Sequence, residues 1–292
     1  MHPLLLTLPL PLLACGVALL GLLAGSLGGL LGVGGSVIII PGLVILLGQG
    51  LGGEQHAFQA AAMVANVAVA VPSMLRHRRA GTIDPAAVRA MAPAAAIGIV
   101  AGVALSNLPA FRGADGGKLL SRLLAGFLVW VIVVNVAKLK ASTPQTSPQS
   151  PDDHDKPATG RGFTGRFAAV GAIMGTSAGL LGIGGGALAV PLQQQIINRP
   201  LRRAISNSAT AMCVSAPLGA IYKNLSLGSH LSDDSVLPGG AAAGLLLGLL
   251  LAPTAWVGGR LGASLTHTLP LNLTRVVFIL LMIVAAWKMA AL

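Results

Sequence analysis

Two short runs of glycine inside apolar sequence hold the residues of this chain best suited to chemistry. One is Gly32, Gly34, Gly35 and Ser36 in GLLGVGGSVIIIP (residues 29–41). The other is Gly182, Gly184, Gly185 and Gly186 in GLLGIGGGALAVP (residues 179–191). Glycine permits the dihedrals that interrupt a helix and lets a ligand approach the main chain closely. A helix restarting near Ser36 or Gly186 presents unpaired amides and the positive end of its dipole, which together suit an anion. Ser36 adds a hydroxyl donor. At membrane depth such a break is tolerated only where protein or a water-filled cavity surrounds it. The competing explanation is close helix packing through small residues, the role expected for the GxxxG pairs Gly98/Gly102 and Gly258/Gly262.

A second set of candidates is polar. Gln59, Asn66 and Ser73 punctuate one apolar segment; Ser206, Asn207, Ser208, Thr210 and Ser215 punctuate another, and Pro72 and Pro217 close both stretches. Intramembrane amides and hydroxyls either cross-link helices or line a polar site. Asn66, Asn207, Ser208 and Thr210 are therefore expected to orient a substrate from helices facing the breaks. All eight acids fall in expected loops or at their edges. A cation pathway buries carboxylates, so the substrate is expected to be anionic or neutral. His77 sits in RHRR (residues 76–79) and reads as part of an interfacial basic cluster; the six histidines are scattered in loops or at their edges. That distribution offers neither metal ligands nor a nucleophile–base pair, so no enzyme is expected. The two cysteines, Cys15 and Cys213, read as packing residues. Residues 182–187 fit a loose GxGxxA pattern, but no strand precedes them and no acid follows about 20 residues on. No P-loop is present, and no cofactor is expected.

These residues sit in a chain built for a bilayer. Of its 292 residues 54% are hydrophobic and 9% charged, with mean hydropathy +0.81. A net charge of +11 would suggest nucleic acid in a soluble protein. With 3% aromatics there is no stacking platform for bases, and the basic residues read instead as cytoplasmic loop markers. The N-terminus imitates a signal peptide but lacks a basic n-region, and its apolar run continues through Leu31, so it reads as the first membrane helix.

Segments are expected at 8–31, 36–48, 57–75, 88–108 and 119–137, then at 167–181, 187–197, 203–222, 236–257 and 272–291. Residues 25–41 and 175–191 align at an offset of 150 with eight of 17 positions identical. The fold class expected is thus an all-α polytopic membrane protein of about ten segments, in two repeats of five with a glycine-rich break in each. An odd count per repeat makes the two of inverted topology. The organisation is a first repeat (1–137), a flexible linker rich in Pro, Ser, Thr and Asp (138–166) and a second repeat (167–292). At 15 residues, segment 167–181 spans only about 22 Å. That is short of a core of roughly 30 Å, which places its break inside the membrane. Assigning the linker to one side puts 14 basic residues there and 5 opposite, so the linker is expected in the cytoplasm and both termini outside.

The doubled glycine motifs resemble the sulfite exporter TauE/SafE family, also called the toluene-sulfonate uptake permease family. The resemblance extends to RHRRAGTID (residues 76–84) and to IGIVAG (97–102) with its partner VGGRLG (257–262), and covers the chain outside the linker. It implies a secondary transporter in the bacterial inner membrane. The cargo would be a small inorganic or organic sulfur oxyanion, such as sulfite, thiosulfate or an organosulfonate, with export the direction the family name carries. A passive anion channel is the alternative class, and a homodimer is an open expectation. Lipid is the remaining partner.

Overall fold

The computed structural model describes residues 10–47, 54–111, 113–141, 161–229, 242–266 and 268–290. Among these it holds ten α-helices and no strand. The first half contributes α1 (Leu10–Leu31), α2 (Ser36–Leu47), α3 (Glu54–Arg79), α4 (Pro85–Ser106) and α5 (Gly113–Ala141). The second contributes α6 (Arg161–Leu181), α7 (Gly186–Ile196), α8 (Leu201–Ser226), α9 (Ala243–Leu265) and α10 (Leu271–Ala290). Six of the ten (α1, α3, α4, α5, α8 and α9) are long and apolar enough to cross a membrane. Most of the expected linker, 142–160, lies outside the described residues.

Two expected segments are displaced. Helix α6 has 21 residues rather than 15, because it begins in the charged turn at Arg161. Hydropathy marks only the apolar part of a helix, and arginine is a good helix former whose stem can lie along apolar surface. At about 31 Å α6 is long enough to span, so the length argument that its break must lie inside the membrane fails for this helix. Helices α2 and α7 stay short, with 12 and 11 residues. Helix α9 continues past residue 257 to Leu265; the expected residues 236–241 lie outside the description. It continues through glycine because those glycines are its packing face. A methyl on Gly258 would lie 2.8 Å from the Ser26 amide nitrogen, and one on Gly262 would lie 2.7 Å from the Ser26 carbonyl carbon. Gly98 and Gly102 do the same on the other side, where a methyl would come within 3.0 Å of the Thr176 nitrogen and 2.9 Å of the Leu180 nitrogen. Both GxxxG pairs are backbone-to-backbone seams, as expected.

The packing has an exchange pattern. Helix α1 lies against α9 and α6 against α4; α3 also lies against α9 and α8 against α4; α3 meets α8, and α5 meets α10. Replacing each helix by the one five places away reproduces this set. Each half thus lends its fourth helix to the other half. Internal prolines repeat as Pro41 with Pro191, Pro72 with Pro217 and Pro93 with Pro253. The core gathers around the two breaks. Ile39, Ile40 and Leu43 pack with Phe58, Ala62 and Ile183 on one side, and Met91, Phe167, Met174 and Met212 pack on the other. Outer faces are apolar and exposed (Leu249, Leu250 and Val257 on α9; Ile221 and Leu225 on α8), the surface expected against lipid chains.

Candidate functional site

Both glycine runs interrupt the helix. Helix α1 stops at Leu31 and α2 restarts at Ser36; α6 stops at Leu181 and α7 restarts at Gly186. The turns pass through left-handed backbone, with φ +86° at Gly34 and +68° at Gly184, a region that disfavours any residue with a β-carbon. The two breaks touch. A methyl on Gly186 would collide with the Gly32 carbonyl oxygen and lie 2.8 Å from the Val33 α-carbon. Two helix N-termini therefore converge, one from each half.

Asn66 of α3 stands between them. Its Oδ1 accepts the Ser36 amide at 3.1 Å, and its Nδ2 donates to Ser36 Oγ at 2.9 Å. A methyl on Gly34 would reach 3.0 Å from Asn66 Oδ1, and one on Gly184 2.8 Å from Asn66 Nδ2 and 3.2 Å from Ser36 Oγ. Because Ser36 Oγ accepts from Asn66, its own hydrogen remains free to donate. From α8, Ser208 Oγ donates to the Gly32 carbonyl at 3.0 Å, and Met212 Sδ lies 3.1 Å from where a Gly34 methyl would be. Ser36, Asn66 and Ser208 are all buried.

Polar groups here exceed their partners. Gly34, Gly35, Val37, Gly184, Gly185 and Ala187 are buried, and among the described residues their amides have no acceptor. The Gln59 side chain, fully buried against Gly182, has neither its nitrogen nor its oxygen hydrogen-bonded. Native proteins pair the great majority of buried polar groups. The donors at the two helix N-termini have no carboxylate joined to them, and the positive ends of both helix dipoles lie there. Gln59 is absent from the expected site. Its signal was its spacing, seven residues before Asn66 and so on the same helix face.

The α-carbon faces of two break glycines are packed, and the remaining expected side chains, Asn207 and Thr210, are bonded away from the breaks. Gly35 packs on Ala24 and Ile39, and Gly185 on Met174. Thr210 Oγ1 donates to the Ser206 carbonyl one turn back in its own helix at 2.7 Å. Asn207 belongs to a separate network at the start of α8. Its Oδ1 accepts the Asp84 amide at 2.9 Å, and its Nδ2 donates to Gln193 Oε1 at 3.2 Å. Asp84 caps α4 through the amides of Ala86 and Ala87, and pairs with Arg199 at 3.0 Å. Arg199 in turn lies over the rings of Phe163 and Phe167. This network latches the α3–α4 loop to α8, and the Thr82 and Ser206 hydroxyls add a bond of 2.7 Å.

Two histidines depart from expectation. His77 is buried in the last turn of α3 rather than solvated among its arginines. His56 is buried too, with Nε2 2.7 Å from the Phe111 carbonyl and Nδ1 2.7 Å from Lys223 Nζ. A carbonyl can only accept, so Nε2 carries the hydrogen and Nδ1 faces the lysine. Lys223 also donates to Ser106 Oγ at 2.8 Å and is fully buried. Its charge is one of the five that the sequence count assigns to the outer side. As the last-turn basic residue of α8, it folds its ammonium inward onto these partners. Among the described residues no group of three His, Cys, Asp or Glu stands close enough to hold a metal.

The helices and the two converging breaks define a multi-pass helical membrane protein with an enclosed, donor-rich centre. A family model described as sulfite exporter TauE/SafE matches residues 17–289, and the chain belongs to that family. Among curated relatives, it is 27% identical over 94% of its length to the "Probable membrane transporter protein MamO" of Paramagnetospirillum magneticum. The chain spans 44% of that relative, and 44% of the corresponding Magnetospirillum gryphiswaldense protein, at 28% identity. A "Probable membrane transporter protein" of Haemophilus influenzae is 29% identical, over 93% of this chain and 96% of the relative. YunE of Bacillus subtilis, with the same printed description, is 25% identical over 86% and 88%. No solved structure matches.

Proposed function

We propose that this chain is a secondary transporter that holds a small sulfur oxyanion, such as sulfite or an organosulfonate, between the two helix breaks and releases it by alternating access. The observation that carries the reading is the set of buried amides at the two breaks, unpaired beside the unpaired Gln59 side chain. A fixed array of neutral donors can replace the hydration of an anion without a counter-charge to trap it. The printed names of the relatives support transport, and the family's description supports a sulfur oxyanion as cargo. The exchange pattern between halves supports two inverted-topology repeats, in which rocking one half against the other would open the centre to alternate faces. The 14-to-5 division of basic residues supports placement in the bacterial inner membrane with the linker cytoplasmic and both termini periplasmic.

The test is a proteoliposome panel of sulfite, thiosulfate, sulfate, taurine and sulfoacetate, with and without a pH gradient. Saturable flux of one sulfur oxyanion is expected, lost in Gly34→Val and Gly184→Val variants that still insert. Linear, non-saturating flux would instead make the protein a passive anion channel. Full transport by both variants would reduce the glycines to packing residues.

A further inference from the structure

Three arginines, two from the RHRR cluster and one from VGGRLG, meet in one place. Arg76 and Arg79 on the last turns of α3 and Arg260 on α9 line a cavity of about 130 Å³ together with Pro72, Leu75 and Trp256. On α3, Pro72 and Arg76 are four residues apart, as are Leu75 and Arg79; on α9, Trp256 and Arg260 are likewise. Each pair therefore shares a helix face. All three arginines are exposed, and none meets a carboxylate within salt-bridge distance among the described residues. The C-terminal carbonyls of α3 favour two of these charges, but three like charges around one small cavity call for an anion.

The cavity opens outward from the bundle. At its inner edge α3 and α9 are in backbone contact. Ser73 Oγ reaches the Gly259 carbonyl at 3.3 Å, and a methyl on Gly259 would lie 2.9 Å from the Val69 carbonyl oxygen. That seam closes the inner edge of the cavity, and none of the break residues lines it. Outward, the walls continue into the exposed apolar residues Leu75, Trp256, Val257 and Leu261. A ligand for this place needs a compact negative head and an apolar body beside it. Arginine matches phosphate in a bidentate fork, and tryptophan is the residue of the membrane–water interface.

We propose that this cavity binds the phosphate headgroup of an anionic phospholipid, with the acyl chains lying along the exposed face of α9. Basic pockets between membrane helices on the cytoplasmic side are suited to anionic headgroups. This places the site on the same side as the majority of the arginines, and it is independent of the cargo held at the breaks.

The test is native mass spectrometry of the delipidated full chain titrated with phosphatidylglycerol, cardiolipin or phosphatidylcholine. One anionic lipid is expected to be retained in preference to phosphatidylcholine. Each of Arg76→Gln, Arg79→Gln and Arg260→Gln should weaken retention about fivefold, and the triple variant about a hundredfold, from the attraction of each basic residue near a charged lipid surface. Arg89→Gln, an exposed arginine on α4 outside the cavity, should leave retention unchanged. The single variants alter exposed side chains, so they read the site even if the triple variant is unstable. Equal retention by wild type and single variants would overturn the proposal. So would displacement of the bound lipid by millimolar inorganic phosphate or sulfite, which would assign the arginines to a soluble anion.

Discussion

Gly184 and Gly81 share a backbone conformation but not surroundings, and the pair separates strain from site. Gly184 has φ +68° and Gly81 φ +66°. Alanine in left-handed backbone costs roughly 1–2 kcal/mol, so Gly81→Ala and Gly184→Ala carry that same term. Gly81 is in the α3–α4 turn, and a methyl there meets nothing within 4 Å. Strain is the whole of its expected cost. At Gly184 the methyl would lie 2.8 Å from Asn66 Nδ2 and 3.2 Å from Ser36 Oγ. Asn66 is held by its two bonds to Ser36, so it can yield only by breaking them. Leaving such buried groups unmade adds about 1–3 kcal/mol. Gly184→Ala should therefore destabilise by roughly 2–5 kcal/mol.

The transport readout separates the variants further. Displacing Asn66 moves the Ser36 hydroxyl and the α2 amides that would receive the anion. Loss of one hydrogen bond to a charged group, about 1.5–3 kcal/mol, corresponds to about a 10- to 150-fold rise in the half-saturating anion concentration. Thermal unfolding in detergent and concentration-dependent flux in proteoliposomes would be measured on both variants. Gly81→Ala should transport with the wild-type half-saturation. If Gly184→Ala matched it in both midpoint and half-saturation, Asn66 and Gly184 would not share a site, and the anion reading of the breaks would fall.

Asn66→Leu should lower the thermal midpoint and abolish saturable flux, because it leaves the Ser36 amide buried without its acceptor; retained transport would exclude Asn66 from the site. Asp84→Asn and Arg199→Gln should each destabilise by about 1–3 kcal/mol, while a double-mutant cycle on chemical unfolding should show non-additivity, since the two groups meet at 3.0 Å. Gly262→Leu should block insertion or folding, because any β-carbon there strikes the Ser26 carbonyl, whereas Gly126→Ala, with nothing within 4 Å, should be silent by fluorescence size-exclusion profile. Lys223→Met should lower the midpoint by removing the hydrogen bonds that Lys223 makes to His56 Nδ1 and Ser106 Oγ, and His56→Leu in the same background should recover part of that loss.

The helices were readable because their apolar runs and the repeated glycine motif survive in one dimension. Seven of the ten segments match an observed helix to within about four residues at either end, the boundary error of pattern reading, while α5 and α6 each begin about six residues early. The exceptional displacement is α9, which runs on past the end of its apolar run through Gly258 and Gly262, the pair expected to pack, along its contact with α1. Glycine carries one letter for two opposite physical roles, breaking a helix and letting two helices meet, and only the partner backbone decides between them. At Gly34 and Gly184 the chain turns left-handed; at Gly258 and Gly262 it stays helical against Ser26.

The same ambiguity explains the polar residues. Asn66, Asn207, Ser208 and Thr210 are alike in sequence, being uncharged groups on two central helices. What distinguishes them is rotation about the helix axis relative to another half of the chain 150 residues away. Asn66 and Ser208 face the breaks, Asn207 is turned toward the α3–α4 loop, and Thr210 is satisfied within its own helix. Gln59 is the residue this reasoning should have promoted. It lies two turns from Asn66 on the same face, and a glutamine on that face, packed on Gly182 with both ends unpaired, has no structural employment that a hydrophobic residue would not serve better. Its retention in so apolar a helix is intelligible if something outside the protein chain completes its hydrogen bonds, and Gln59→Leu therefore ought to stabilise the fold while weakening anion flux, a combination that a packing role could not produce.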